Sequence, residues 1–417
     1  MMDTAPKPSQ TLPLAGIRVL ELAHIVAGPS AGLMLADLGA DVIKVEHPDI
    51  GDTARNQANQ GAGFLSFNRN KRSVALNLRE PKGKEVFERL VKTADIVLNN
   101  YVPGALDRLG LGYGWAKAVN PRIIYCSVKG FLPGPNWSRP LLDELAQMEG
   151  GLAYLTGTKG RPLRAGASIT DIGAATYAVV GILAALNKRH ATGEGEEIEA
   201  GLFETIVFWL SQHLAKAQIS GEDPPPRGEG KSSGMGKMMG WAVYQLFNTA
   251  DERQVFIAVT SDRHWQSLCD VLGFANWRDL PEFSSNKKRS ARRAEIAERI
   301  QAAVETLPFE AICNKLETVN VPFAAVNTPM TLMQDHHLAE GDRWIAVEGA
   351  GQSVRVPKLP LHFGGMDFTL HRQPPALGEH SDDLLHELGY SIEEIEAMKQ
   401  SRTVLKSSQM LNIDHKP

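Results

Sequence analysis

In the N-terminal half of the chain, short apolar runs alternate with longer stretches of helical spacing. "IRVLELA" (17–23) is a β-type run, and "PSAGLMLADLGA" (29–40) follows it as a helix with Pro29 near its first turn. "DVIKVEH" (41–47) is a second strand. "SVALNL" (73–78), "DIVLNN" (95–100) and "RIIYCSVKG" (122–130) are further strands. Between them lie the helical "PKGKEVFERLVKTA" (81–94) and "ALDRLGLGYGWAKAV" (105–119), the latter helical in part. Alternation of this kind predicts an α/β fold, a parallel sheet with helices on both faces.

A long apolar run, Ile172 to Leu186, stands behind Asp171. It ends in "NKRHATGEG" (187–195), where Lys188, Arg189 and His190 suit a helix C-terminus and Gly193 suits the exit. "EIEAGLF" (197–203) reads as a strand and "ETIVFWLSQHLAKAQ" (204–218) as a helix. The pattern breaks at "GEDPPPRGEGKSSGMGKMMG" (221–240), a Pro/Gly-rich linker or mobile loop. A smaller unit follows, about 241–328. It holds the strand "VFIAVT" (255–260), the helix "HWQSLCDVLG" (264–273) and the basic amphipathic helix "KKRSARRAEIAERIQAAVETL" (287–307). The C-terminal stretch is Pro-rich and then carries one or two helices. No internal repeat is visible.

Composition adds bounds. A chain of 417 residues, 43% hydrophobic, buries a substantial core and fits about two or three domains. A net charge of −4 implies no strongly basic face, so nucleic acid is not the expected partner. The three cysteines, Cys126, Cys269 and Cys313, are widely spaced with no CxxC, which excludes a disulfide framework and a structural zinc site. The run Ile172–Leu186 is shorter than the ~20 residues that span a bilayer, and no basic-then-apolar leader is seen. The expectation is a soluble, cytoplasmic protein with no membrane partner.

Ligands of open α/β sheets sit beyond the carboxyl ends of the strands. Here those ends supply Gly28, Gly104 and Gly130, with His24, Arg108 and Lys129. Glycines beside scattered cations suit a phosphorylated nucleotide. Ordinary βα turns account for them equally well. The first strand leads into "AHIVAGPSAG", not G-x-G-x-x-G, so a dinucleotide site is not expected. "GEGKSSGMGK" mimics a phosphate loop, but Pro225 and Lys231 stand where that loop needs glycine. It is a flexible lid or a plain linker. Asp335, His336 and His337 form a solvated turn rather than a metal site, since adjacent histidines diverge on a helix. No G-x-S-x-G marks a hydrolase. Asp171 is flanked by Gly166, Ala167, Ser168, Gly173, Ala174 and Ala175, leaving room for a large ligand. It is either a helix cap or a reactive carboxylate.

Five segments in order resemble family III CoA-transferases, the CaiB/BaiF family. They are "LAGIRVLELAHIVAGPSAGLMLADLGADVIKVEHPDIGDTAR", "FNRNKRSVALNL", "NNYVPGALDRLGLGY", "GASITDIGAATYAVVGILAALNKRHATGEGEEIE" and "PALGEHSDDLLHELGYS". The resemblance implies a large Rossmann-like domain built from both chain ends, here 1–222 and 329–417, and a smaller α+β domain, 223–328. It implies ring-shaped subunits interlinked as a homodimer, with CoA between the domains and no metal. It makes Asp171 the nucleophile, a carboxylate whose anion the helix dipole would favour. Asp171 would attack the thioester to give a mixed anhydride, take CoA as an enzyme thioester and pass it to an acceptor acid.

The same resemblance carries CoA contacts onto His24, Ile25, Val26, Asn100, Tyr101 and Arg108, and less securely onto Arg139. Arg72 is a candidate phosphate partner, and His47 stands where some members have Arg. Asp143 and Glu144 lie near the acyl group, and Gly234 and Gly236 fall in the glycine-loop lid, although "SSGMGKMMG" departs from a pure glycine run. The expected donor is a short dicarboxylic acyl-CoA such as succinyl-CoA. The acceptor is of itaconate, mesaconate or citramalate type, with oxalate–formyl exchange as another option. An α-methylacyl-CoA racemase on the same fold is the alternative, but Leu142 replaces the proton-shuttling His of those relatives. A non-catalytic CoA-binding protein is a third reading, against which the intact Asp171 argues.

Overall fold

Residues 12–56, 61–228, 240–349 and 351–404 are described in a computed structural model of the chain. Six parallel strands make the main sheet: β1 (Arg18–Leu22), β2 (Asp41–Glu46), β3 (Lys71–Ala75), β4 (Ile96–Asn99), β5 (Ile124–Lys129) and β6 (Glu197–Gly201). Their order is β3-β2-β1-β4-β5-β6. This is the order of the doubly wound α/β fold, and it reverses between β1 and β4. Because helices cover both faces, neighbouring residues of one strand enter different cores. Val19 packs with Ala31, Leu35, Ala174 and Ile182 on one face, and Leu20 with Val86, Phe87, Leu384 and Ile395 on the other. Leu384 and Ile395 belong to the C-terminal helices Ser381–Glu387 and Ile392–Gln400, so both chain ends build this unit.

The chain divides into two compact units. The first comprises 1–150, 166–209 and 341–417, and the second 151–165 and 210–340. The second therefore takes in residues 151–165, 210–222 and 329–340, which the sequence alone assigns to the large domain. Hydrogen bonds explain the first of these: Arg227 N–H donates to Leu155 O and Gly228 N–H to Gly157 O, both at 2.8 Å. The second unit holds the antiparallel strands β7 (Tyr244–Asn248), β8 (Gln254–Ala258) and β9 (Phe323–Ala325). Trp265, Leu268, Ile296, Ile300 and Ile312 form its core. The first unit also carries an antiparallel hairpin, β10 (Trp344–Gly349) and β11 (Gln352–Pro357), which the sequence reading does not anticipate.

Two expected helices are broken. The 204–218 stretch becomes Leu202–Trp209 and Ser211–Ser220. The 287–307 stretch becomes Asn286–Ala291 and Arg293–Val304. Here Arg289 turns inward, donates to Phe283 O at 2.7 Å and pairs with Asp262, so the basic face is not uniformly solvated. The three cysteines are free and buried. Burial pushes the thiols of Cys126 and Cys269 up to about 12 and that of Cys313 to about 11.

The helix behind Asp171 runs Ile169–Thr192, 24 residues and about 36 Å. It outreaches the apolar run read from the sequence, and by length and composition it could cross a membrane. Half of its apolar window is buried, with Ala174, Ala178 and Ile182 in the sheet's core. Gly193, at φ 75°, ends it. Its C-terminus is tied to the amino edge of the sheet: Arg189 donates to Asp95 Oδ1 at 2.8 Å and to Arg122 O at 3.1 Å. Its N-terminus therefore lies toward the carboxyl edge. Arg189→Ala leaves the Asp95 carboxylate and two carbonyls short of a buried donor. We expect a loss of about 2 kcal/mol in urea denaturation, and an unchanged midpoint would show that the helix does not depend on this anchor.

Candidate active site

Strand order reverses between β1 and β4, the place where open α/β sheets bind their ligands. Three predicted residues meet there. Asn100 Oδ1 accepts the His24 N–H at 3.0 Å, and Asn100 Nδ2 donates to His24 O at 2.9 Å. His24 Nε2 lies 3.0 Å from the Tyr101 hydroxyl, with the rings edge to face. Burial, then the nearby Lys44 cation, lowers the His24 pKa and disfavours the charged ring. Gly28 permits this junction, because a Cβ there would lie 2.3 Å from Ala23 Cβ and 3.3 Å from Asn100 Cγ. The helix Ala27–Asp37 starts in the same place with no side-chain cap, which leaves first-turn amides for solvent or a ligand.

Ile25, between His24 and Val26, has φ 67°. A β-branched residue in this left-handed region costs on the order of 1–3 kcal/mol. Its N–H is held by Asp52 Oδ1 at 3.0 Å. Behind Asp52 lies a layer of fully buried charge. Lys44 Nζ pairs with Asp52 at 2.9 Å and Glu21 at 2.8 Å, and Lys71 Nζ pairs with Glu21 at 2.7 Å. Lys129, also buried, donates to Tyr101 O at 2.8 Å. The sequence reading named none of Glu21, Lys44, Asp52 or Lys71. The signal was present: a strand buried on both faces reads as continuous apolar chain, so Glu21 within "VLEL" and Lys44 within "VIKVE" stand out.

Asp171 occupies the third position of its helix and is partly buried. Ser168 makes no side-chain cap. The capping group is Asp143, first residue of the helix Asp143–Glu149. Its Oδ1 accepts the Thr170 N–H at 2.8 Å and the Asp171 N–H at 3.4 Å, and also takes the Thr170 hydroxyl. Gln147 Nε2 donates to Asp143 Oδ2 at 2.7 Å. The dipole's benefit thus goes to Asp143, contrary to the expectation for Asp171. Burial, and then the Asp143 charge, raises the Asp171 pKa to about 7. Gly173 keeps this end narrow: a Cβ there would lie 2.4 Å from the Trp209 ring.

The remaining candidates spread out. Arg108 ends the short helix Ala105–Arg108, exposed, beyond β4. Arg139 pairs with Glu149 and lies 4.7 Å over the Phe131 ring. Glu144 is exposed beside Asp143. His47 follows β2 and accepts the Asp49 N–H at 3.2 Å. Arg72 is not brought to the crevice. It sits near the start of β3, paired with Asp41 and Glu387 at 2.6 Å each, beside Arg18 at the amino edge. With its guanidinium saturated at the opposite end of the strands, it does not join the other CoA candidates. Gly234 and Gly236 lie outside the described residues. Asp335 Oδ1 accepts the Leu338 N–H, and exposed His336 pairs with Glu340. Among the described residues no group of metal-binding side chains is found.

A profile of CoA-transferase family III matches residues 14–381. The chain is similar to a formyl-CoA:oxalate CoA-transferase of Rhodopseudomonas palustris, 32% identical over 413 residues covering 91% of this chain and 95% of the relative. It is also similar to a succinate–glutarate CoA-transferase of Agrobacterium fabrum, 33% identical over 397 residues covering 91% and 97%. Among solved structures, a CaiB/BaiF family protein from Brucella suis superposes with a TM-score of 0.80 at 32% identity, covering 91% of this chain and 100% of that one.

The raised Asp171 pKa sets a stability test. A carboxyl whose folded pKa exceeds its unfolded value stabilises the fold below the unfolded pKa, and that contribution is lost as pH rises through about 7. Asp171→Asn removes the loss. Its stability relative to wild type should grow between about pH 4 and 7 and level off above, by at most about 4 kcal/mol, less what solvent access screens. Denaturant titrations across this range read it, and a flat difference would mean that Asp171 ionises freely.

Proposed function

The chain belongs to CoA-transferase family III, and we propose that it moves CoA from a short dicarboxylic acyl-CoA, such as succinyl-CoA, to a carboxylic acid through covalent adducts of Asp171. The observation that carries this reading is the Asp171 carboxyl, partly buried beside Asp143 with its pKa near 7. A carboxylate made more basic in this way is a better nucleophile than a solvated one. The succinate–glutarate relative supports a dicarboxylic donor and acceptor, whereas the formyl-CoA:oxalate relative pairs a dicarboxylic acceptor with a formyl donor.

The chemistry runs in four balanced steps. An Asp171 oxygen adds to the thioester carbonyl and CoA thiolate leaves, giving a mixed anhydride. The thiolate attacks the Asp171 carbonyl and the donor acid departs as its carboxylate. The acceptor carboxylate attacks this enzyme thioester, releasing thiolate and forming a second anhydride. The thiolate then takes the acceptor acyl group and restores Asp171. Acylation turns a crowded anion into a neutral carbonyl, relieving both its burial and its repulsion from Asp143. Asp143, fixed by Thr170 and Gln147, stays in place throughout. His24, Ile25, Val26, Asn100 and Tyr101 line the CoA crevice in this reading, with exposed Arg108 as the cation for a phosphate.

The same reading includes an interlinked homodimer working in the cytoplasm. Exposed Ile172, Tyr177, Val180 and Leu183 on the long helix, with Phe208 and Trp209 beside it, supply an apolar face for a second copy. Three free thiols are in keeping with a reducing compartment.

Trapping tests the proposal. Incubation with succinyl-CoA and a panel of carboxylic acids, followed by hydroxylamine or borohydride, should mark the Asp171 peptide in mass spectra and yield a new acyl-CoA. An unmarked Asp171, with α-proton exchange in a branched acyl-CoA, would sink it. In a second test, Asp143→Asn removes the like charge and should move the acidic limb of kcat/KM from near pH 7 downward by about one unit. An unmoved limb would show that Asp143 does not tune the nucleophile.

A further inference from the structure

The strained Ile25 gains little from its position. The residue is 43% exposed, so burial does not offset the cost of its backbone. The conformation is imposed from outside. Asp52 Oδ1 takes the Ile25 N–H and, at 2.9 Å, the Ala54 N–H. Asp52 N–H donates to Glu46 Oε1 at 3.0 Å, and Arg55 clamps Glu46 with two contacts of 2.8 Å. Lys44, paired with Asp52, also donates to Ala23 O at 2.8 Å. Lys71, joined through Glu21, donates to Pro29 O at 2.9 Å. One buried network therefore grips the turn at Ala23, Ile25 and Pro29, the end of β1 and the first turn of the next helix. Strain that a structure over-determines this firmly, at an exposed residue in a ligand crevice, is a functional signature.

We propose that Asp52 is a positioning residue of the transferase: through the Ile25 N–H and Lys44 it holds residues 23–29 in their strained form, so that Ile25 stands as a fixed apolar rim against which the acyl-CoA binds. The proposal rests on the switch-point crevice being the CoA site. The turn is ready before the ligand arrives, and binding spends nothing on ordering it.

Asp52→Ala alone strands a buried cation and endangers the fold. Lys44→Met with Asp52→Ala removes the grip while Glu21 keeps Lys71 as its partner, so the buried charge stays balanced. In this double variant, folded by circular dichroism, calorimetric affinity for CoA should fall about tenfold, and KM for succinyl-CoA should rise by more than kcat falls. Ile25→Gly, which adopts the turn without strain, should raise Tm by a few degrees and weaken CoA binding in the same direction. A folded double variant with wild-type affinity and KM overturns the proposal, as does a lowered Tm in Ile25→Gly. Asn100→Ala separates the premise: if it too binds CoA normally, the crevice reading fails and the proposal with it. If Asn100→Ala binds weakly while the double variant is normal, the grip by Asp52 alone is refuted.

Discussion

Lys44 Nζ has three oxygens within 3 Å, from Glu21, Asp52 and the backbone of Ala23. Taking such charges out of water costs several kcal/mol per ion, and good geometry returns about as much. The cluster is therefore a poor source of net stability. Its value is directional. Two cations and two carboxylates, locked in one arrangement, allow the first turn of the sheet a single path. Every element of the crevice, from the His24 backbone to the start of the following helix, takes its position from that path.

The two acids at the head of the long helix show how environment separates identical chemistry. Asp143 receives two backbone amides, a hydroxyl and a carboxamide. Asp171 sits next to it with burial and a like charge against it. Divergent surroundings of this kind are how one fold assigns different work to two carboxyls. The helix contributes by bringing them together, and its far end, fastened by Arg189, keeps the head from shifting along the sheet.

Much of this was legible in the chain. Strand–helix alternation gave the parallel sheet, and Asp171 was singled out by the small residues around it. His24 is reachable because ligand sites follow strand ends, whereas Asn100 and Tyr101 come only with the family resemblance. What stayed hidden depends on neighbours across strands. Lys44 and Glu46 stand out as charges in an apolar strand, but their partners appear only when β1 and β3 are laid beside them. Arg72 looks available until Asp41, at the start of the adjacent strand, and Glu387, over three hundred residues away, claim it. The helix breaks at Leu210 and Arg292 leave little trace in local spacing. Asp143 was placed near the acyl group, but its role as a cap across two helices needs the tertiary contact.

The cysteines bear on the fate of the acyl group. An enzyme that handles thioesters risks losing its cargo to its own sulfur, because any accessible thiolate can accept an acyl group or exchange with CoA. In this chain all three thiols are buried and held at about 11 to 12, so essentially none is ionised at neutral pH. Cys126 lies within β5, one strand away from Asn99. On the proposed mechanism, an acyl group carried by Asp171 would meet no competent protein thiol, leaving the sulfur of CoA itself. Thiol-alkylating reagents should therefore leave the folded chain active until it unfolds.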